Sequence, residues 1–338
     1  MSNQTLIIES PANLVMREEP EPEPKEGEVL VRTERTLISP GTERMLVTAP
    51  DEAGERWHGY MNYPRPTGYC NVGRVESLWA PLGGEEEEQA VRIGDRVLSH
   101  APHSRYAAVA ADRLAKVPDF MALDVAPFGV MATFPMLAVH LARPLLGELA
   151  VVIGAGIVGN LCAQMAEAAG CRVLLVDPDP FRAGVAEQCG ISGSSTETAA
   201  EAAEWVRKEC AGGVDIVFEA SGSPEAIGPA IKMLRRKGRL VLLGSTSGPV
   251  TLDLHDDVHT LGLQIIGAQA SNMPEVPSAD NRWTWQANAE VFYGLVAAGK
   301  VRVEPMITDR VKAEALVDTY RSLVIERERP ALGIVVTW

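Results

Sequence analysis

Residues 149–177 read LAVVIGAGIVGNLCAQMAEAAGCRVLLVD. LAVVI is a β-branched run of strand length, GAGIVG interrupts it with glycine, a helical stretch follows to Gly170, and CRVLLVD is a second strand ending on Asp177. A lone G-x-G-x-x-G is a weak signal, but one that closes a strand and opens a helix is specific. Gly154 permits the tight turn, Gly156 lets the backbone approach a pyrophosphate, and Gly159 lets the helix lie close to the strand, with Ile157 and Val158 between them. Asp177 stands near the roughly 20-residue spacing at which a carboxylate accepts from both adenosine ribose hydroxyls and repels a 2′-phosphate. NAD is therefore expected over NADP. Arg182 argues the other way, since an arginine there could meet a 2′-phosphate or could be a solvated helix residue.

Outward from this turn the alternation continues: VDIVFEA and a helix, then GRLVLLG and QIIGAQ, the pattern of a parallel sheet covered by helices. Arg235-Arg236-Lys237 reads as a helix end, where cations suit the dipole. Residues 1 to about 115 have a different texture, short β-rich runs such as EVLVRTERTLI and RYAAVAA separated by Pro and Gly. EEPEPEPKEGE (18–28) and GGEEEEQ (83–89) read as solvated loops. The 338 residues suit two domains. A net charge of −14 with no basic patch excludes nucleic acid as a partner. No apolar run reaches a membrane span, and MSNQTLIIES lacks the flank and cleavage site of a secretory signal, so a cytoplasmic protein with no membrane partner is expected. Five scattered cysteines without a C-x-x-C pair suggest neither a disulfide framework nor a cysteine zinc site.

EVLVRTERTLISPGTE, PTGYCNVGRVES, IGDRVLSH, the GAGIVG turn, VDIVFEASGSPEAI, KGRLVLLG and PALGIVVTW, in this order, resemble the medium-chain dehydrogenase/reductase superfamily over essentially the full chain. The resemblance implies an α/β fold: a GroES-like β-barrel catalytic domain over 1–120 and 272–338, and a Rossmann domain with a doubly wound parallel sheet over 121–271. It places the cofactor in the cleft between them and implies a homodimer through edge strands near 250–254 and 264–269. It also implies cofactor contacts from Thr133, Ser221, Leu243, Gly244, Ser245, Ala268 and Gln269, in line with the rule that ligands bind beyond the carboxyl ends of parallel strands.

Zinc-dependent members carry a cysteine where this chain has Pro40, and a G-H-E-x-x-G where it has Gly68-Tyr69-Cys70-Asn71-Val72-Gly73. FGVMATF (128–134), the third ligand region, contains no Cys, His or Asp. One cysteine cannot hold zinc, so no metal is expected. The S-x-G-T-E form of the loop resembles the bacteriochlorophyllide dehydrogenase-like and sugar-associated branch. Hydrogen-bond donors must then manage the charge on the reacting oxygen. Thr42 matches the family's relay hydroxyl, and Tyr69 occupies a vacated ligand position, where it could donate or simply pack. Glu43 could be a base or could pair with an arginine behind the site.

Other polar residues have a bland and a chemical reading. His100 and His103, and His255 and His259 beside Asp256 and Asp257, have ligand-like spacings but read as capping and solvated residues. His140 reads as a core histidine. His58, Trp283 and Trp285 could contact a small-molecule substrate, the tryptophans by offering faces to a sugar, or could only pack. The function implied is a zinc-independent, NAD(H)-dependent interconversion of a secondary alcohol and a ketone, possible substrates being a sugar, a cyclitol or a larger hydroxylated metabolite. An NAD(P)H-dependent enone or quinone reductase and a non-catalytic NAD(H)-binding protein stay open.

Overall fold

LAVVI forms the strand Leu149–Ile153, with Arg172–Val176 and Val214–Glu219 parallel on either side. The computed structural model describes residues 2–50, 59–79 and 91–338. Two units divide the chain: Met1–Met131, Ala289–Gly294 and Ile307–Trp338 form one, and Ala132–Asn288 with Leu295–Met306 the other.

In the second unit all strand pairs are parallel, in the spatial order Ser194–Ser195, Arg172–Val176, Leu149–Ile153, Val214–Glu219, Leu234–Leu242, Gln264–Gly267. Numbered by sequence this is 3-2-1-4-5-6, the doubly wound arrangement, and its direction reverses between the strands ending at Ile153 and Glu219. Val151, Ile153 and Val217 pack with Ala202, Val206, Ile227 and Ile231 of the helices Ala199–Glu209 and Pro224–Met233. Burying each such strand residue contributes about 1.5–3 kcal/mol relative to exposure. Thr198 and Glu201 form a reciprocal capping box that starts the first of these helices.

Two local expectations change here. Arg235-Arg236-Lys237 lies inside the strand Leu234–Leu242, because the preceding helix stops at Met233 and Arg235 pairs with Asp215. Residues 250–254 form no strand; Asp253 accepts from the main chain of His255 (3.0 Å) and Asp256 (3.1 Å) and caps the turn Leu254–His259.

In the first unit, the closing strand Gly333–Thr337 pairs antiparallel with Glu28–Ile38 and parallel with Ile307–Lys312, so the C-terminal residues complete the N-terminal sheet. Glu28–Ile38 also pairs with Asn71–Leu78 and Tyr106–Ala110. The acidic run at 18–28 is partly structured, since Glu18 and Glu19 belong to the strand Asn13–Pro20, paired with Ser2–Ser10. GGEEEEQ lies outside the described residues.

The unit boundaries fall later than 120 and 272. Tyr293 hydroxyl donates to Ala126 O (2.9 Å) and leaves no room for a Cβ on Gly129, which keeps the start of the helix Phe128–Ala142 in the first unit. Residues 272–288 stay with the second unit: Asn288 Nδ2 meets Met273 Sδ at 3.3 Å, and Trp283 stacks 4.2 Å from His140.

Candidate active site

At the carboxyl end of Leu149–Ile153 the chain turns through Gly154 with φ +99°, a left-handed conformation that glycine adopts without strain. Gly156 has open space where a Cβ would be, and a Cβ on Gly159 would lie 1.8 Å from Gly154 O. Gly159 is therefore the position that fixes the turn against the helix Ile157–Ala168. Asp177 is buried; its Oδ2 accepts from Ala155 N (2.8 Å) and its Oδ1 from Asp179 N (2.9 Å). It thus braces the glycine turn, with acceptor capacity left over. Arg182 is not a free cation: its guanidinium lies 3.6 Å from Asp177 and 3.5 Å from Asp179.

Glu219, unremarked in the sequence, ties the neighbouring loops together. Its main-chain oxygen accepts from Leu243 (2.9 Å) and Gly244 (2.7 Å), and its buried carboxylate accepts from Ser221 N (2.8 Å), Gly222 N (3.1 Å) and the Ser221 hydroxyl. Burial pushes the Glu219 carboxyl up, against the hydrogen bonds from Ser221 and Gly222. Ser221 therefore spends both its donors internally. A charged residue ending an apolar strand directly before ASG was the available signal. Of the other expected contacts, Ala268 is buried and bonds Leu242 O (2.9 Å), Gln269 is exposed and caps the turn Ala270–Asn272, Ser245 is exposed, and Thr133 is buried in the helix Phe128–Ala142.

In the first unit, the S-x-G-T-E segment within ISPGTERM (38–45) is not a loop: it opens the helix Pro40–Thr48. Proline suits a first helical position, where its missing N–H has no intrahelical partner to lose. Leu46 and Val47 anchor this helix in the apolar cluster with Leu6, Ile38 and Leu316. Ser39, the residue before it, makes no side-chain cap. The Tyr69 hydroxyl meets Met131 Sδ at 3.5 Å, and the Ser39 and Thr42 side chains lie close to it. Burial pushes the Tyr69 phenol well above its usual range, Cys70 and Glu43 add to this, and Ser39 and Thr42 oppose it. Tyr69 is thus a protonated donor at neutral pH. Burial also pushes the Cys70 thiol up, with Glu43 adding to it, so Cys70 is an inert core residue.

Glu43 corrects the expectation of an arginine partner. It is fully buried, and its carboxylate accepts from Ser39 N (2.7 Å), the Thr67 hydroxyl (3.2 Å) and the Tyr320 hydroxyl, with His103 Nε2 at 3.2 Å. Sealed from solvent and with both oxygens engaged, it is not placed to act as a base on a substrate. His103, expected to be solvated, is buried. The tryptophans change too: Trp285 is buried, and Trp283 packs on His140 with the Arg282 guanidinium 4.5 Å from its ring centroid, so they form no open pair of faces. His58 lies outside the described residues.

The residues at the expected zinc positions do not fit the metal. Pro40 has no side-chain donor, Tyr69 puts a phenol where the zinc-type motif has an imidazole, and among the described residues no group of three His, Cys, Asp or Glu side chains could hold an ion. Among the described residues, no helix is long and apolar enough to cross a membrane.

The family model of zinc-binding dehydrogenases matches residues 158–285. The L-threonine 3-dehydrogenase of Bacillus velezensis is 31% identical over 172 residues, covering 50% of this chain and 46% of that one. The chain spans about half the length of the first such curated relatives. A protein of Sinorhizobium meliloti 1021, described as a zinc-binding dehydrogenase and bound to NADP, superposes with a TM-score of 0.78 at 19% identity, covering 100% of both chains. An Escherichia coli CFT073 alcohol dehydrogenase complexed with NADH does so at 0.77 and 20%, again over 100% of both chains. These matches lie in the medium-chain dehydrogenase/reductase, alcohol dehydrogenase-like superfamily, which the chain resembles. It has the α/β fold of that superfamily, a GroES-like domain with a Rossmann domain.

Proposed function

We propose that this protein is a nicotinamide-dependent oxidoreductase that interconverts a secondary alcohol and a ketone without a catalytic zinc, with NAD(H) as its cofactor. The observation that carries this is the buried Tyr69 phenol, at a position where the resemblance implies a metal ligand in zinc-dependent members, with the Ser39 and Thr42 hydroxyls beside it. The secondary-alcohol chemistry in the name of the threonine dehydrogenase relative supports the reaction class.

Gly154, Gly156, Ile157, Val158 and Gly159 would hold the pyrophosphate through main-chain N–H groups and the helix start, Asp177 would accept from the adenosine ribose, and Leu243, Gly244 and Ser245 would flank the nicotinamide side. A bound nicotinamide would supply hydride transfer to or from the carbinol carbon. Tyr69 donates a hydrogen bond to the substrate oxygen and so stabilises the negative charge that grows there during reduction. In the oxidative direction the Thr42 hydroxyl, close to Tyr69, would accept the substrate's hydroxyl proton while passing its own hydrogen on to the cofactor ribose.

The preference for NAD follows from local charge. Asp177 and Asp179 carry two negative charges and Arg182, held between them, carries one positive charge, so the pocket keeps a net negative charge that repels a 2′-phosphate. Asp177→Ala is expected to weaken NADH binding by roughly tenfold, about 1.4 kcal/mol for lost charge-assisted bonds, and NADPH binding by less. Equal losses in fluorescence titrations would remove Asp177 as the discriminator.

The outer strand Gln264–Gly267 has a free edge among the described strands and an exposed Ile265, which supports a homodimer. Sedimentation is expected to give twice the 36.4 kDa chain mass, and Ile265→Lys to give the monomer. A monomeric wild type would remove the dimer.

The reaction is tested by following nicotinamide absorbance against a panel of sugars, cyclitols, simple secondary alcohols, ketones and enones. Turnover of an alcohol or ketone supports the assignment. Activity on enones alone would replace it with a double-bond reductase, and silence despite NADH binding would point to a binding protein.

A further inference from the structure

We propose that the buried Glu43–His103 pair is a positioning device, which sets the segment carrying Thr42 against the segment carrying Tyr69. It rests on the catalytic role proposed above for that hydroxyl cluster. Glu43 grips the first segment. Its Oε1 accepts the Ser39 N–H at 2.7 Å, so the carboxylate reaches back to the entry of the helix whose first turn contains Thr42. Its Oε2 receives the Thr67 hydroxyl (3.2 Å), the Tyr320 hydroxyl and His103 Nε2 (3.2 Å), so both carboxylate oxygens are engaged.

His103 grips the second segment. Its main-chain N–H donates to Thr67 O at 2.8 Å, and its ring lies so close to Gly68 that a Cβ there would sit 2.5 Å from the ring Cδ2. Gly68 also has φ +92°, so glycine is required twice over, and the imidazole face fixes the direction in which the chain leaves for Tyr69.

Trp338 Nε1 can only donate, and gives its hydrogen to Thr36 Oγ1 at 2.9 Å. In the tautomer with Nε2–H directed at Glu43 (3.2 Å), His103 Nδ1 accepts the Thr36 hydroxyl hydrogen at 2.7 Å. Neither side chain is exposed, so water cannot replace a lost partner.

The test compares wild type with Glu43→Gln, which keeps the side-chain shape but brings an NH2 donor among groups that already donate. With whichever panel alcohol or ketone the wild type turns over, kcat is expected to fall on the order of 100-fold, the scale of a small misplacement of reacting groups, while the NADH Kd changes less than about twofold. NMR with isotope-labelled tyrosine gives a readout that needs no substrate: the Tyr69 ring signal, assigned by its loss in Tyr69→Phe, is expected to shift and broaden in Glu43→Gln. Should that variant not fold, Tyr320→Phe removes a single donor to Glu43 and is expected to move both readouts in the same direction by less. A folded variant with unchanged kcat and an unmoved Tyr69 signal would overturn the positioning role. A wild type inactive on the whole panel, together with a displaced Tyr69 signal in the variant, would instead sink the catalytic role of the hydroxyls and leave the positioning intact.

Discussion

Gly159→Ala is expected to abolish NADH binding at concentrations where the wild type is saturated. The added Cβ would lie 1.8 Å from Gly154 O and 3.3 Å from Ala220 Cβ, and the first of these is a backbone atom with no rotamer to retreat into. Either the helix Ile157–Ala168 moves off its strand or the glycine turn opens. Overpacking of this kind costs about 1–3 kcal/mol or more of stability. The turn also loses the arrangement of N–H groups that suits a phosphate, so affinity is expected to fall by at least roughly 100-fold, about 2.7 kcal/mol, the equivalent of one or two hydrogen bonds to a charged group. Thermal unfolding and NADH fluorescence on the same preparation check both effects. Gly156→Ala is the internal contrast: its Cβ meets nothing within 4 Å, so stability holds while close approach of a pyrophosphate is blocked. Full NADH affinity in Gly159→Ala would mean that the turn is not the phosphate site.

Tyr69→Phe is expected to lower kcat by roughly 100- to 1000-fold, the usual cost of removing one preorganised donor from a developing oxyanion, with NADH affinity nearly unchanged. The ring keeps its packing, and only the hydroxyl close to Ser39 and Thr42 is lost. The pH dependence has a definite sign. Burial raises the Tyr69 phenol above its usual range, so the donating, protonated form persists above the ordinary tyrosine value of about 10. Turnover in the reductive direction should therefore show no loss from tyrosine ionisation between neutral pH and about 10. An unchanged kcat in Tyr69→Phe removes the residue from the mechanism.

How far the sequence could be read depends on the range of the physics involved. The glycine turn was legible because its constraints lie within six residues: a positive φ at Gly154 and the contact between Gly159 and Gly154 O. The parallel sheet was equally open to reading, since β-branched runs alternate with helical ones. ISPGTERM was harder, because Pro40 and Gly41 look like breakers until the proline is recognised as a first helical residue. The division near 289 could not be read, because it runs through the continuous helix Trp285–Ala297. His103 was missed for another reason. Its partners Thr36 and Glu43 are 67 and 60 residues away, and nothing in HAPH announces burial. The same holds for the Tyr320 hydroxyl, 277 residues from Glu43. Trp285 misled in the opposite direction, an aromatic in a polar segment that folds inward to start a helix.

The central claim is that donors of the polypeptide, with no zinc, handle the charge on the substrate oxygen. The most direct test is turnover of a secondary alcohol or ketone with NAD(H) by protein stripped with a strong chelator and shown by elemental analysis to contain no zinc. An undiminished rate, lost on Tyr69→Phe, is the predicted result. A rate lost on chelation and restored by added zinc would contradict it.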